Sequence, residues 1–538
     1  MTLPASVFAA FKASAEAHPE KSFLCVPARV DRDWSPSGAE YSYGECLQIV
    51  EDLRKRYEAA GYGIGHRVAL LLEMRPDHFF HFLALNALGC GIVPVNPDYR
   101  HDETLYLVDH SEADLLVCLP HRLADMEKVA ADRQSKPLPV LNALDMPREL
   151  PRPQTPRRPG EPDHETECGL LYTSGTTGRP KGCILSNFYY LNAGAWYRDL
   201  GGRLAIREGE DRFYNPLPLF HMNHGAVTAC CAMLTANCLI LTERFSPNRW
   251  WQEVVQTGAT IIHYLGVVPP LLLNQPVSEE ERRHSVRFGL GAGVEPELHE
   301  PFEKRFGFPL VEVWGMTETG RIFTDNHEPR QIHTRAFGRP LPGLEAMVAD
   351  DQGREVPRGQ DGELLVRHSA ATPRHGFFSG YLKNEQATEE AWAGGWFHTG
   401  DVVRQAEDGM LYFVDRKKNI IRRSGENIAA AEIEACLQAH EAVAQVAVLA
   451  APDEIREEEV MACIVPMQGV APGPELGEAL FAWCYERLAY FKAPGWILFV
   501  ETLPTTGTQK VQKTQIFAPG EDPRKRAGIL DFRSRKKR

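Results

Sequence analysis

Y-T-S-G-T-T-G-R-P-K-G, residues Tyr172 to Gly182, decides how the rest of this sequence is read. An apolar approach, Gly169-Leu170-Leu171-Tyr172, has the pattern of a buried strand. The next ten positions hold four hydroxyl side chains (Thr173, Ser174, Thr176, Thr177), the glycines Gly175, Gly178 and Gly182, and the cations Arg179 and Lys181. Glycines let a backbone turn tightly and bring N–H groups against an anion, while hydroxyls and cations add donors and charge. This reads as a phosphate-binding loop. It is not a Walker A loop, which needs G-x-x-x-x-G-K-[ST], because Lys181 follows Pro180 and precedes Gly182. The alternative is a solvated surface turn, but turns seldom concentrate Thr, Ser and Lys beside a buried strand.

At 538 residues and 60.3 kDa the chain exceeds one hydrophobic core, so two or more domains are expected. A hydrophobic content of 43% with 24% charged residues is that of a globular protein. The formal charge of -13 argues against a general nucleic-acid binder, which needs a net basic surface. No apolar run approaches the roughly 18 residues of a membrane span, and the N-terminus lacks the pattern of a secretory signal. The twelve cysteines form no C-x-x-C pair, which fits buried thiols in a cytoplasmic protein better than disulfides or a zinc site. The basic ending R-S-R-K-K-R reads as a solvated, frayed tail.

Working outward from the loop, strands and helices alternate on both sides of it. Upstream, helices are expected at Glu45–Ala60, Asp77–Leu88 and Asp102–Ser111, and strands at Arg67–Glu73, Gly91–Val95 and Leu115–Cys118. Pro147 to Pro162 is a linker. Downstream, Val254–Leu265 ends a helix and supplies a strand, Val286–Gly293 is a strand running into a glycine turn, and Leu310–Trp314 is a strand. This alternation implies parallel sheets and an α/β class. After Gly338 the texture becomes β-rich (Ala346–Ala349, Gly362–Arg367, Gly409–Val414), as in a small barrel or twisted sheet. From about Lys418 a helix (Ala430–His440) and strands (Ala442–Ala450, Met461–Val465) form a separate α+β segment.

Four further stretches carry candidate chemistry: V-W-G-M-T-E (313–318), G-W-F-H-T-G-D (395–401), D-R-K-K-N-I-I-R-R-S-G-E-N-I (415–428) and L-P-T-T-G-T-Q-K-V-Q-K (503–513). Glu318 is a hard oxygen donor suited to Mg²⁺, beside Thr317 as a phosphate donor, and Asp401 could accept from a sugar diol. Taken singly, a carboxylate after a strand is more often a cap or a surface charge.

Together with the loop, in this order, the stretches resemble the adenylate-forming superfamily of acyl- and aryl-CoA synthetases, peptide-synthetase adenylation domains and beetle luciferases. The resemblance covers nearly the whole chain. It implies an α/β fold with a large N-terminal domain (1–417) of two doubly wound sheets plus a β-barrel, and a small mobile α+β C-terminal domain (418–538). It also implies two reactions: a carboxylate attacks the α-phosphate of ATP to give an acyl-adenylate and pyrophosphate, and a thiol, usually coenzyme A, then takes the acyl group. Carried over by motif, Thr173, Ser174, Gly175, Thr176, Thr177, Gly178 and Lys181 hold the β- and γ-phosphates. Thr317 touches the α-phosphate and Glu318 binds Mg²⁺. Gly291, Ala292, Gly293 and Gly315 line the adenine with Trp314, and Asp401 and Arg416 bind the ribose. Lys510 is the catalytic lysine, although Gln509 stands where the family usually has glycine, which leaves Lys513 as the alternative. Lys418 matches the hinge, and Ser424-Gly425-Glu426 the face used for thioester formation.

The acyl pocket is expected near His221, Met222, His224, His263, Tyr264, Val267, Gly291, Trp314 and Gly315, with His221 at its mouth. Each of the other histidines could equally be a core residue. Polar and aromatic lining argues against a long fatty chain. The run N-I-I-R-R-S-G-E-N-I looks closest to the crotonobetaine/carnitine-CoA ligase branch, and aromatic lining suits a quaternary ammonium. A short, polar or betaine-like acid is therefore the expected substrate, with a homodimer expected by base rate. An enzyme loading a carrier-protein phosphopantetheine, a luciferase-like monooxygenase and a non-enzymatic nucleotide-binding regulator remain as alternatives.

Overall fold

Val68-Ala69-Leu70-Leu71 and Leu115-Leu116-Val117-Cys118 carry no polar side chain, and in the computed structural model both are strand segments buried on both faces, as parallel central strands must be. The structure describes residues 3–173, 180–423, 426–453, 456–488, 490–505, 511–518 and 520–536. It divides into two compact units, residues 1–345 with 367–396, and residues 346–366 with 397–538.

The first unit contains two mixed sheets. In the seven-stranded sheet Val140–Asn142, Leu115–Cys118, Arg67–Leu71, Gly91–Pro94 and Glu167–Thr173 run parallel. Lys181–Ser186 and Gly380–Tyr381 are then added antiparallel at one edge. The eight-stranded sheet has a parallel interior, including Ile261–Leu265, Phe288–Ala292 and Leu310–Gly315, and an antiparallel strand at each edge. The expected parallel sheets and α/β class are thus present, with antiparallel strands added at the edges. The helices fall at Tyr43–Ala60, Pro76–Asn86 and His101–His110, within about two residues of their expected bounds. Ser42 and Glu45 form a capping box that sets the start of the first of these. Residues 147–162 contain no regular element, as a linker should.

The second unit begins with the neighbouring strands Glu345–Ala349 and Asp361–Arg367 (Glu345 and Arg367 counted with the first unit), and Asp361–Arg367, Phe397–Gln405 and Leu411–Arg416 pair antiparallel in turn. A second sheet follows, built on the long hairpin Val443–Asp453 and Glu457–Pro466 with Trp496–Phe499 parallel to it. Helices Ala430–Gln438 and Pro474–Arg487 cover this sheet through Ile421, Ile428, Ile433, Leu437, Leu480 and Phe481. The basic ending departs from its expected solvated state. Phe532 is buried, Lys536 is buried against Glu459, and Arg533 pairs with Asp453 and Asp531. Carboxylates on neighbouring strands capture the charges that water would otherwise hold.

Gly194 shows how tightly the first unit is packed. A Cβ there would stand 2.6 Å from the backbone of Cys230 and Cys231, where helix Asn187–Asp199 meets Ala229–Leu234. Gly194→Ala is expected to destabilise the protein by about 1–3 kcal/mol, read from denaturant unfolding, because neither backbone can yield without strain.

Candidate functional site

Register explains the centre of the site. Thr173 pairs with Lys181 across the hairpin, and Tyr381 pairs with Cys183 on the next strand. Lys181 and Cys183 share a face because side chains alternate along a strand. The Lys181 Nζ consequently lies 4.8 Å from the centroid of the Tyr381 ring. The Tyr381 hydroxyl donates to Glu318 Oε1 at 2.7 Å, and the Phe378 N–H donates to the Glu318 carbonyl at 2.9 Å. Glu318 is 6% exposed, so its carboxylate is both shielded and oriented. The Tyr189 hydroxyl donates to the carbonyl of Thr317.

Two aromatic contacts brace the stem of the loop. The Tyr106 hydroxyl donates to the carbonyl of Pro180 at 3.0 Å, and Tyr172 Oη lies 2.8 Å from His110 Nδ1. Ser174, Gly175, Thr176, Thr177, Gly178 and Arg179 lie outside the described residues. The loop therefore joins two antiparallel strands, whereas a Walker A loop joins a strand to a helix.

Gly291, Ala292 and Gly293 close the strand beside Ile261–Leu265. Gly293 has φ +84°, and a Cβ on Gly266 would stand 1.9 Å from its carbonyl oxygen, so this corner needs glycine twice. Glu312 supports the corner from below: Gly293 N–H donates to its Oε2 at 2.8 Å and the Tyr264 hydroxyl to its Oε1 at 2.9 Å. Desolvation raises the Glu312 pKa to about 7, against the lowering effects of His299, Tyr264 and Gly293 N–H. Trp314 is buried, its ring stacked on Phe323 at a centroid distance of 5.5 Å, while Gly315 is exposed.

The expected acyl-pocket residues do not share one environment. Tyr264 points into the core and toward Glu312. His263 is fully buried between Asn223 (3.0 Å) and Tyr197 (3.2 Å), and His224 is fully buried against the Leu217 carbonyl (2.8 Å). Desolvation lowers their pKa values to about 3 and about 4, so both are neutral at physiological pH. Residues Asn223–Thr228 form a π-helical turn, a distortion that recurs at functional sites. His221, just ahead of it, is exposed, and Val267 is 38% exposed. Protein packed around the His221 ring lowers its pKa to about 4, an effect that water at its open face opposes.

In the second unit Asp401 and Arg416 face each other across neighbouring strands, with Nε–Oδ1 at 2.7 Å and Asp401 1% exposed. Glu363 fixes the turn before Asp401 by accepting from Gly400 N–H at 3.1 Å and pairing with His398 and Lys417. Desolvation would raise the Glu363 pKa, but hydrogen bonds from His398 and Lys417 prevail and bring it to about 2. Lys418 lies in the short turn Lys417–Asn419, where Asp415 accepts from Asn419 Nδ2 and from the Ala431 N–H. Lys513 is ion-paired with Glu434 at 2.8 Å. Lys510, Ser424 and Gly425 lie outside the described residues.

Tyr381, Glu312 and Glu363 escaped the sequence reading. Tyr381 had a faint signal, an aromatic run (G-F-F-S-G-Y, 376–381) in a glycine-rich context. The two glutamates had none, because only tertiary contact gives them partners.

Comparison with known proteins bears on the same residues. The model of the family described as AMP-binding enzyme matches residues 11–382, and that of the AMP-binding enzyme C-terminal domain matches 432–510. The crotonobetaine/carnitine–CoA ligase of Proteus mirabilis (strain HI4320) is 30% identical over 495 residues, covering 89% of this chain and 93% of that protein. The enzyme of that name from Citrobacter koseri is 29% identical over 492 residues, with the same coverage of each. The o-succinylbenzoate CoA synthetase of Bacillus subtilis, solved with its acyl-adenylate intermediate, shares the fold. Its TM-score is 0.81 at 24% identity, covering 96% of this chain and 99% of that one.

The raised Glu312 pKa has a signed consequence. Between an unfolded value of 4.5 and the folded value of about 7 the native state holds the extra proton, so stability falls as pH rises through that window. Glu312→Gln should remove this slope. The wild-type protein should lose about 3 kcal/mol relative to the variant between pH 4.5 and 7, measured by denaturant unfolding at each pH.

Proposed function

We propose residue roles and a substrate class for this chain, which belongs to the AMP-binding enzyme family and is an ATP-dependent, AMP-forming acid–thiol ligase. It joins a carboxylic acid to coenzyme A through an acyl-adenylate, with ATP, Mg²⁺ and coenzyme A as its small-molecule requirements. The observation that carries the residue assignment is the meeting of Lys181 and Glu318 on Tyr381.

A carboxylate and a triphosphate repel each other, so their approach needs cations. A unit charge pair at 4 Å is worth about 4 kcal/mol at an effective dielectric of 20, enough for one placed lysine to matter. Lys181, with Thr173 and residues 174–178, binds the β- and γ-phosphates. Thr317 contacts the α-phosphate. Glu318 would hold Mg²⁺, which when bound neutralises phosphate charge. Among the described residues no three His, Cys, Asp or Glu side chains could cage a metal. A single carboxylate completed by phosphates and water is how this ion usually binds. The 291–293 corner and Gly315 take the adenine, with Trp314 packed behind them, while Asp401 and Arg416 take the ribose diol.

Lys510 screens the attacking carboxylate in adenylation. Lys513 is the weaker choice, because Glu434 already holds its ammonium group. A mobile segment from Lys418 then turns so that residues 424–426 serve the thioester step, leaving 1–417 as the nucleotide and acyl domain. Asp415, which precedes Lys418, accepts from Asn419 and Ala431 beyond it and so bridges the proposed hinge.

For the substrate we favour a short polar or betaine-like acid, with His221 at the pocket mouth. The polar and aromatic residues expected around His221 are unsuited to a long aliphatic chain, and the buried His224 and His263 nearby in sequence are uncharged. Twelve thiols, none in a disulfide, support a cytoplasmic setting.

Carboxylate-dependent ATP–pyrophosphate exchange across betaines, short-chain and aryl acids tests this reading. Exchange with polar short acids is expected, and no turnover of any betaine would remove that branch. Lys510→Ala should lose exchange by roughly a hundredfold or more yet still convert a supplied acyl-adenylate to thioester. Lys418→Pro should slow thioester formation far more than exchange, because proline fixes φ. Equal loss in both half-reactions would contradict the hinge.

A further inference from the structure

The segment 529–536 is built into the second unit as a strap. Leu530 and Asp531 pair with Ile497 and Trp496. Arg533 lies over Trp496, and Arg535 lies over Phe481 while pairing with Glu478. Two glycines make room for the strap and for its carboxylate partner. A Cβ on Gly477 would stand 2.3 Å from Leu530, and one on Gly495 2.4 Å from the Glu459 side chain. Lys536 ends the strap inside the protein, its side chain 0% exposed and paired with Glu459, which is 1% exposed.

Glu459 has a second cation. Arg423 Nε meets its Oε2 at 2.7 Å, and the Arg423 side chain is 4% exposed. Arg423 is the last residue of strand Ile420–Arg423, paired with Glu426 on one side and with Glu457 on the other. Buried ion clusters add little net stability, because desolvation cancels most of the attraction, whereas removing one partner strands the rest. What such a cluster does well is fix geometry. Here the fixed object is Arg423 and, through strand pairing, the backbone of Glu426, the two residues that flank 424–425.

We propose that residues 529–536 are a positioning element for the second half-reaction: Lys536 holds Glu459, Glu459 holds Arg423, and the hairpin end thereby keeps the geometry used when the acyl group passes to coenzyme A. This rests on the assignment of residues 424–426 to the thioester step. The strap touches no reactant, and adenylation does not depend on it.

The test uses the full chain with Lys536→Met, Lys536→Arg and the double variant Lys536→Met/Glu459→Gln, which leaves no lone buried carboxylate. Three readouts are compared: ATP–pyrophosphate exchange, single-turnover thioester formation from a supplied acyl-adenylate, and amide hydrogen exchange across 420–429. Lys536→Met and the double variant should keep pyrophosphate exchange within about twofold while losing about tenfold or more in thioester formation. Their 420–429 amides should exchange faster by about tenfold, and Lys536→Arg should restore most of both losses. Equal loss in the two half-reactions, unchanged hairpin exchange, or faster hairpin exchange with unchanged thioester formation would overturn the proposal. If the wild-type enzyme forms adenylate but transfers it to no coenzyme A, the functional reading fails, and the hairpin amides alone then decide whether the strap acts.

Discussion

The hydrogen bond from Tyr381 to Glu318 joins three stretches that the sequence keeps far apart. Tyr381 stands where it does because strand Gly380–Tyr381 registers against Ile184 and Cys183. That register belongs to the hairpin whose other members are Thr173 and Lys181. Glu318 follows the strand Leu310–Gly315 of the other sheet. The two sheets of the first unit are thus coupled beside the stem of the glycine-rich loop. A carboxylate buried to this degree persists only with partners, and the phenol supplies one without neutralising the charge needed for a cation.

The same logic organises the surroundings. Buried polar groups are placed where a backbone N–H has to be aimed: Glu312 at Gly293 and Glu363 at Gly400. Each lies behind a turn assigned to nucleotide, so the ligand would meet backbone already held in place, and less ordering free energy is lost on binding. The histidines of the 221–263 region work differently. Desolvation keeps His224 and His263 neutral, and both are buried against Leu217, Asn223 and Tyr197, so they add no positive charge to this region.

Much of this was legible in the sequence because strand and helix periodicity is local. The four-residue run Leu115–Cys118 is a strand with those bounds. The antiparallel hairpin around the loop was not legible, since Lys181-Gly-Cys-Ile-Leu-Ser186 reads equally as a strand following a crossover. Tyr381 was missed because its meaning lies in a register across the sheet. Trp314, expected beside the adenine, stacks on Phe323, nine residues later on the paired strand, a contact with no local signal. The basic ending misled for a physical reason: charge runs are ordinarily solvated, and the carboxylates that pair with its described residues, Asp453, Glu459 and Glu478, lie far upstream with no local signature.

The central claim is that Glu318, held by Tyr381, carries the metal for the first half-reaction. The most direct measurement is the Mg²⁺ dependence of ATP binding by wild type and Glu318→Gln, titrated calorimetrically without acid. The half-saturating Mg²⁺ concentration should rise by about tenfold to a hundredfold in the variant, while ATP binding without metal stays the same. An unchanged Mg²⁺ dependence would contradict the account.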